Sequence, residues 1–190
     1  MLEGVFKKRR VAMGSLLLAQ PFLADPDFVR TVILLAQHSP ESSYGFVLNQ
    51  STEFCMSDII TDFPAPDAPV SLGGPVEKNT LHYIHPFGFL EGCYTLSEGL
   101  YQGGNFEQLQ DFLFLGKIDA KSVRFFLGYA GWDKKQLDME VAKKSWIVTP
   151  LQKDWVINPP QETNLWQHIL KELGGEYKTI ANFPLNPSLN

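Results

Sequence analysis

The apolar positions of this chain fall into a regular pattern from Ser15 onward. Leu16 to Ala19 and Thr31 to Gln37 are short, continuous apolar stretches, the second rich in β-branched residues, and both read as buried strands. The segment between them is punctuated, with Asp25 placed to cap a helical turn whose first residue is Pro26. Tyr44 to Asn49 follows a turn cluster at residues 39–43 and predicts a third strand. A short helix over Met56 to Thr61 comes next, then a loop that the three prolines between Phe63 and Pro69 impose. Val70 to Leu72, Leu81 to Ile84 and Tyr94 to Leu96 are long enough only for strands, with turns at Gly73-Gly74-Pro75 and at Pro86 to Gly88.

Helical spacing emerges in the second half. Asn105 and Gln108 resemble a capping box ahead of Phe106, Leu109, Phe112 and Leu113, and this helix stops near Gly116. After the apolar run Val123 to Ala130, Asp133 is expected to cap a helix to about Lys144, with Leu137 and Val141 on its inner face. Trp146 to Val148 reads as a strand, and Leu165, Trp166, Ile169, Leu170 and Leu173 mark one face of a helix that Gly174-Gly175 ends. Residues 1–12 read as an N-terminal extension and 13–190 as one domain with a tail from about residue 175. Strands and helices do not alternate regularly enough for a doubly wound sheet, so the expected class is α+β.

Composition narrows the picture. With 44% hydrophobic and 19% charged residues, the 190-residue chain can bury a continuous core. The net charge of −5 is uneven: Thr31 to Gly116 holds ten acidic residues and one basic one, whereas Lys117 to Lys153 holds eight basic and four acidic. The only dense basic run is Lys7-Lys8-Arg9-Arg10, a thin footprint for nucleic acid, so direct DNA binding is disfavoured. Cys55 and Cys93 fit neither a disulfide framework nor a zinc site and read as free thiols of a cytoplasmic protein. The start imitates a signal peptide, but Gly14 and Ser15 interrupt the apolar run, and no run is long enough to span a membrane.

No P-loop, G-x-G-x-x-G, G-x-S-x-G or H-E-x-x-H motif is present, and no catalytic residue, metal or cofactor is assigned. His82 and His85 are three apart in a strand, an odd separation that points them to opposite faces. Arg30, beside Asp25 and Asp27, reads first as an ion pair and second as an anion-binding residue. Gly128-Tyr129-Ala130-Gly131-Trp132 is the densest feature, either a tight strand-to-helix turn or one wall of a ligand pocket or partner surface.

The pieces combine into a resemblance. Leu18 to Leu35, with His38, Gly45 and Val47-Leu48-Asn49 behind it, then Gly73-Gly74-Pro75-Val76, Leu81-His82, Tyr101-Gln102-Gly103-Gly104, and Gly128 to Trp132 with Gln136-Leu137 and Trp146, resemble the bacterial YqgE/AlgH family in this order. The chain departs from that pattern at Lys135, Asp138, Asn105 and Gln50-Ser51. The resemblance implies an α+β fold whose branched mixed sheet curls into a pseudo-barrel flanked by helices. It implies no established biochemical activity; the transcriptional-regulator label of the AlgH branch names an effect on gene expression and no DNA-reading element. The leading expectation is a non-catalytic regulatory or interaction protein with a protein partner. The alternative is a binder of a small anionic ligand, or an enzyme, with a pocket of Asp25, Arg30, Thr31, His38 and Trp132.

Overall fold

A computed structural model describes residues 10–159 and 164–184. The chain opens with β1 (Ser15–Ala19), a 3₁₀ turn (Pro26–Phe28), β2 (Val32–His38), β3 (Ser43–Val47), β4 (Ser51–Cys55), α1 (Met56–Ile59), β5 (Pro69–Leu72) and β6 (Val76–His85). It continues with β7 (Tyr94–Ser97), β8 (Leu100–Gln102), α2 (Phe106–Phe114), β9 (Arg124–Trp132), α3 (Gln136–Ala142), β10 (Trp146–Pro150), α4 (Lys153–Ile157), α5 (Leu165–Leu173) and α6 (Glu176–Ala181).

Two of the expected caps are present. The Asp25 side chain accepts from the Asp27 N–H to start the 3₁₀ turn, and Asn105 accepts from the Gln108 N–H at the head of α2. Asp133 does not cap α3: the N-cap is Lys135, held in the left-handed region at φ 59°, and the Asp133 N–H instead donates to the Gln136 side chain. The segment from about residue 175 carries α6, whose Ala181 is fully buried. Residues 1–9 and 185–190, which hold most of the expected extension and the end of the expected tail, lie outside the described residues.

The strands form one curled, branched sheet in the order β10-β1-β2-β3-β9-β6-β8-β7. Every neighbouring pair on that path is antiparallel. The branch is at β9. One edge of it pairs with β6, and the other is divided between β5, parallel along Val70 to Leu72, and β3, antiparallel along Ser43 to Gly45. The fold is thus α+β, a half-barrel with helices against it, as the resemblance implied.

Alternating side chains divide the interior. Leu16, Leu18, Val32, Leu34, Phe46 and Phe126 face the inside of the curl, which α4 closes with Trp155, α5 with Trp166, Ile169 and Leu170, and α6 with Ala181. Leu17, Ile33, Leu35 and Val47 face the other way, against Leu137 of α3 and Trp146. Phe125, Val70 and Tyr83 form a third cluster with Met56 of α1 and Leu109 of α2. Two polar ties join layers. Trp166 Nε1 donates to the Ala19 carbonyl at 2.8 Å, fixing α5 to β1. The Arg124 guanidinium donates to the carbonyls of Val156 (2.8 Å) and Leu48 (3.0 Å), joining β9, α4 and the end of β3, and burial lowers its pKa to about 10.

Candidate functional site

The candidate site begins with a change of face in β9. Phe125 and Leu127 pack toward α2, while Phe126 points into the curl. Strict alternation would send Tyr129 the way of Leu127, yet it lies on the side of Phe126. The switch occurs at Gly128, whose φ of +70° a side-chain-bearing residue rarely adopts, and the register with β6 shifts between Val76 and Leu81. A Cβ on Gly128 would sit 2.6 Å from the Val76 carbonyl oxygen, and one on Gly74 would sit 2.2 Å from the Tyr129 carbonyl carbon. The glycines bring the head of β6 against β9 and turn Tyr129 inward.

A cleft of about 480 Å³ results, spanning the adjacent strands β3, β9, β6 and β8. Tyr44 and Tyr129 form one wall, edge to face with ring centroids 5.8 Å apart, and Tyr44 donates its hydroxyl to Gln102 Oε1 at 3.2 Å. His82 lies deeper. Its ring is 5.2 Å from Phe46 and 6.0 Å from Tyr129, and burial lowers its pKa below the ordinary range against a smaller opposing effect of Glu77. His82 Nε2 is buried and has no hydrogen-bond partner among the described residues. His85, on the opposite face of β6, has both ring nitrogens engaged: Nε2 lies 2.7 Å from the Gly103 carbonyl, and Nδ1 accepts from the Phe87 N–H at 3.1 Å.

Trp132 forms the far wall and is held from behind. Glu140 Oε2 accepts from Trp132 Nε1 at 2.9 Å and from Trp146 Nε1 at 2.7 Å, while Oε1 accepts from the Gln136 amide at 2.9 Å. The two indoles stand edge to face at 5.9 Å. Gly131 opens the mouth between Tyr129 and Trp132, next to the exposed Asp133. Among the described residues, no lysine or arginine lines this cleft.

The five residues singled out from sequence fall in two places. Trp132 is in the cleft wall. His38 is beside it: Nδ1 lies 2.8 Å from Ser43 Oγ, itself a cleft residue, and Nε2 is 3.8 Å from Asp138 Oδ1. Asp25, Arg30 and Thr31 lie beyond the other end of β2, a strand of seven residues and thus about 20 Å long. Thr31 is buried and donates its hydroxyl to the Phe28 carbonyl at 3.0 Å. Arg30 makes no ion pair with Asp25 or Asp27; its guanidinium donates to the Phe183 carbonyl and stacks 5.0 Å from the Trp166 ring. Its φ of 51° is held by Asn49, which donates to the Arg30 carbonyl and accepts from the Val32 N–H.

Sequence reasoning placed Tyr129, Gly131 and Trp132 together but missed Tyr44, His82 and Gln102, which come from three separate strands. The signal for them was the glycine pair around Tyr129, which marks a change of face. Among the described residues, no three His, Cys, Asp or Glu side chains converge to hold a metal ion, and no helix is long and apolar enough to cross a membrane.

A family model described as AlgH-like matches residues 16–178. The chain is 39% identical to a UPF0301 protein of Chlorobium luteolum, over 98% of this chain and all of that one. It is 34% identical to a UPF0301 protein of Bacteroides thetaiotaomicron, over 93% and 90% of the two chains. Among solved structures, a crystal structure of a Corynebacterium diphtheriae protein superposes with a TM-score of 0.74 at 21% identity, covering 92% of this chain and 94% of that one. The solution structure of the AlgH protein from Pseudomonas aeruginosa superposes with a TM-score of 0.72 at 22% identity, covering 93% and 98%. These two likenesses are of fold.

Proposed function

The chain belongs to the AlgH-like family, and from that premise we propose that it is a regulatory protein of the cytoplasm that acts by binding a small molecule in the cleft rather than by turnover. The observation that carries this reading is His82, which lines an aromatic cleft and whose Nε2 is buried with no hydrogen-bond partner among the described residues. Leaving a buried polar atom unsatisfied costs about 1–3 kcal/mol, which a ligand that pairs with it recovers on binding. The volume lies within the range of small-molecule sites, about 300–1,000 Å³. The two half-exposed free cysteines suit a reducing compartment.

A metabolite screen by thermal shift tests the proposal. A specific ligand raises the melting temperature in proportion to the logarithm of its concentration above Kd. Gly131→Leu fills the mouth of the cleft and should abolish that rise. A rise that persists in the filled variant, or silence across the screen, overturns the reading.

One arrangement favours a second reading, an acyl-transfer enzyme. Ser43, His38 and Asp138 are ordered as nucleophile, base and acid. Binding is preferred because Asp138 is 56% exposed and at 3.8 Å makes no hydrogen bond to His38. Covalent labelling of Ser43 by a fluorophosphonate would decide for the enzyme. Direct regulation at DNA is not supported by the cleft, which no lysine or arginine lines among the described residues.

A further inference from the structure

We infer that the cleft takes an uncharged planar nitrogen heterocycle, as the free base or nucleoside, and excludes its phosphorylated form; this rests on the ligand-binding reading above. Shape comes first. Tyr44 and Tyr129, edge to face, make an aromatic wall of the cleft with the His82 ring beside Tyr129, and such a wall selects a flat ring over a saturated one of equal size because stacking keeps many atoms in contact at once.

Hydrogen bonding comes second. His82 is held neutral by burial, so its imidazole offers either one N–H or one lone pair at Nε2, and that atom is unpaired. Gln102 stands nearby with Oε1 already accepting from Tyr44, and an amide carries both donor and acceptor. A ring with mixed donors and acceptors along its edge, as in a purine, pyrimidine or nicotinamide, complements that pair. A purely hydrocarbon ring would leave Nε2 as it is.

Charge comes third and reverses the expectation of an anionic ligand. The arginine on which that expectation rested, Arg30, lies away from the cleft beyond the far end of β2, where its guanidinium donates to the Phe183 carbonyl and stacks on Trp166 while its buried Nε has no hydrogen-bond partner among the described residues. Among the described residues, the only acidic or basic side chain lining the cleft besides His82 is the Asp133 carboxylate at its mouth. A phosphate there gains no cation and meets a like charge.

The test uses the full chain and defined probes: adenine, hypoxanthine, uracil and nicotinamide, the nucleosides adenosine and uridine, their 5′-monophosphates, and the uncharged saturated analogue cyclohexanecarboxamide. Binding is read by calorimetry and by tryptophan fluorescence. At least one heterocycle or nucleoside should bind saturably, its monophosphate should bind at least about tenfold more weakly, and the saturated analogue should not bind. His82→Phe, which keeps an aromatic ring against Phe46, should weaken binding about tenfold. Gln102→Leu serves as a second variant if His82→Phe does not fold. Monophosphates that bind as tightly as nucleosides, or saturated analogues that bind as well as aromatic ones, overturn the inference. If no heterocycle binds while another metabolite gives a shift that Gly131→Leu removes, the ligand class is wrong and the binding site stands; if nothing binds at all, both fall.

Discussion

Replacing Glu140 with alanine removes the acceptor that two buried indoles share. Trp132 and Trp146 are each 4% exposed, so neither Nε1–H can turn to water without moving a tryptophan out of its cluster. A stranded buried donor costs about 1–3 kcal/mol, and hydrogen bonds to a charged acceptor are at the upper end of the scale. Two such donors would give about 2–6 kcal/mol. Glu140 itself is only half-buried, so water can enter the vacated space and reach one of them, which brings the expectation to about 2–4 kcal/mol. For a chain of this length each kcal/mol shifts the melting temperature by about 2–4 °C, so Glu140→Ala should melt about 4–16 °C lower. Glu140→Gln keeps the shape and one acceptor oxygen, and should fall between the variant and the parent. Urea unfolding followed by tryptophan fluorescence and by circular dichroism measures both. A Glu140→Ala protein within about 0.5 kcal/mol of the parent would show that the shared carboxylate does not hold the wall of the cleft.

Three further outcomes follow from the same geometry. Gly74→Ala should be severely destabilised, by about 3 kcal/mol or more, because its Cβ would collide with the Tyr129 backbone at 2.2 Å, whereas at Gly131 the nearest atom is the Tyr129 ring at 3.3 Å and Gly131→Ala should stay within about 1 kcal/mol; parallel urea melts compare them. Arg124→Met strips the donors from the carbonyls of Leu48 and Val156 and should cost about 2–4 kcal/mol, read as a lower urea midpoint with unchanged slope. His85 has its pKa lowered chiefly by burial, against a smaller raising effect of the Gly103 carbonyl, so the native state holds fewer protons than the unfolded chain below about pH 6.5. Stability is therefore full above that pH and falls as pH drops through it toward the native pKa; His85→Gln should flatten that slope, and nitrogen-detected NMR should show the neutral Nε2–H form persisting below pH 6.5.

The fold was most legible where burial and local signals agree. Leu165, Trp166, Ile169, Leu170 and Leu173 repeat at helical spacing, Gly174 follows, and α5 spans Leu165–Leu173. Strand β4 was missed because Ser51-Thr52-Glu53-Phe54-Cys55 is largely exposed and carries no alternation. The first half of β6, Val76 to Lys78 and on to Thr80, is polar for the same reason, and only its apolar end from Leu81 was read as strand. Helices α4 and α6 have five and six residues, too few to display a period. The cleft was half legible. Tyr129, Gly131 and Trp132 are neighbours in sequence, but His82 meets Tyr129 only because Gly128 turns the strand over, a backbone event that no hydrophobic pattern records. Arg30 and His38 are eight positions apart, and the intervening strand carries them to opposite ends.

Strand β9 also sets the order in which the molecule can be completed. The strands made before it fall into three groups, β1-β2-β3, β4-β5 and β6-β8-β7, and among the described strands the ladders that join these groups to one another all run through β9. Translation from the end of β8 at Gln102 to the end of β9 at Trp132 takes about 2–6 s at about 5–20 residues per second. During that interval the inner edges of β3 and β6 emerge bare and rich in aromatic residues, an invitation to chaperones and to pairing with a neighbouring nascent chain. A polypeptide halted before residue 124 lacks the strand on which three pieces of sheet are laddered together; one halted after residue 132 has it.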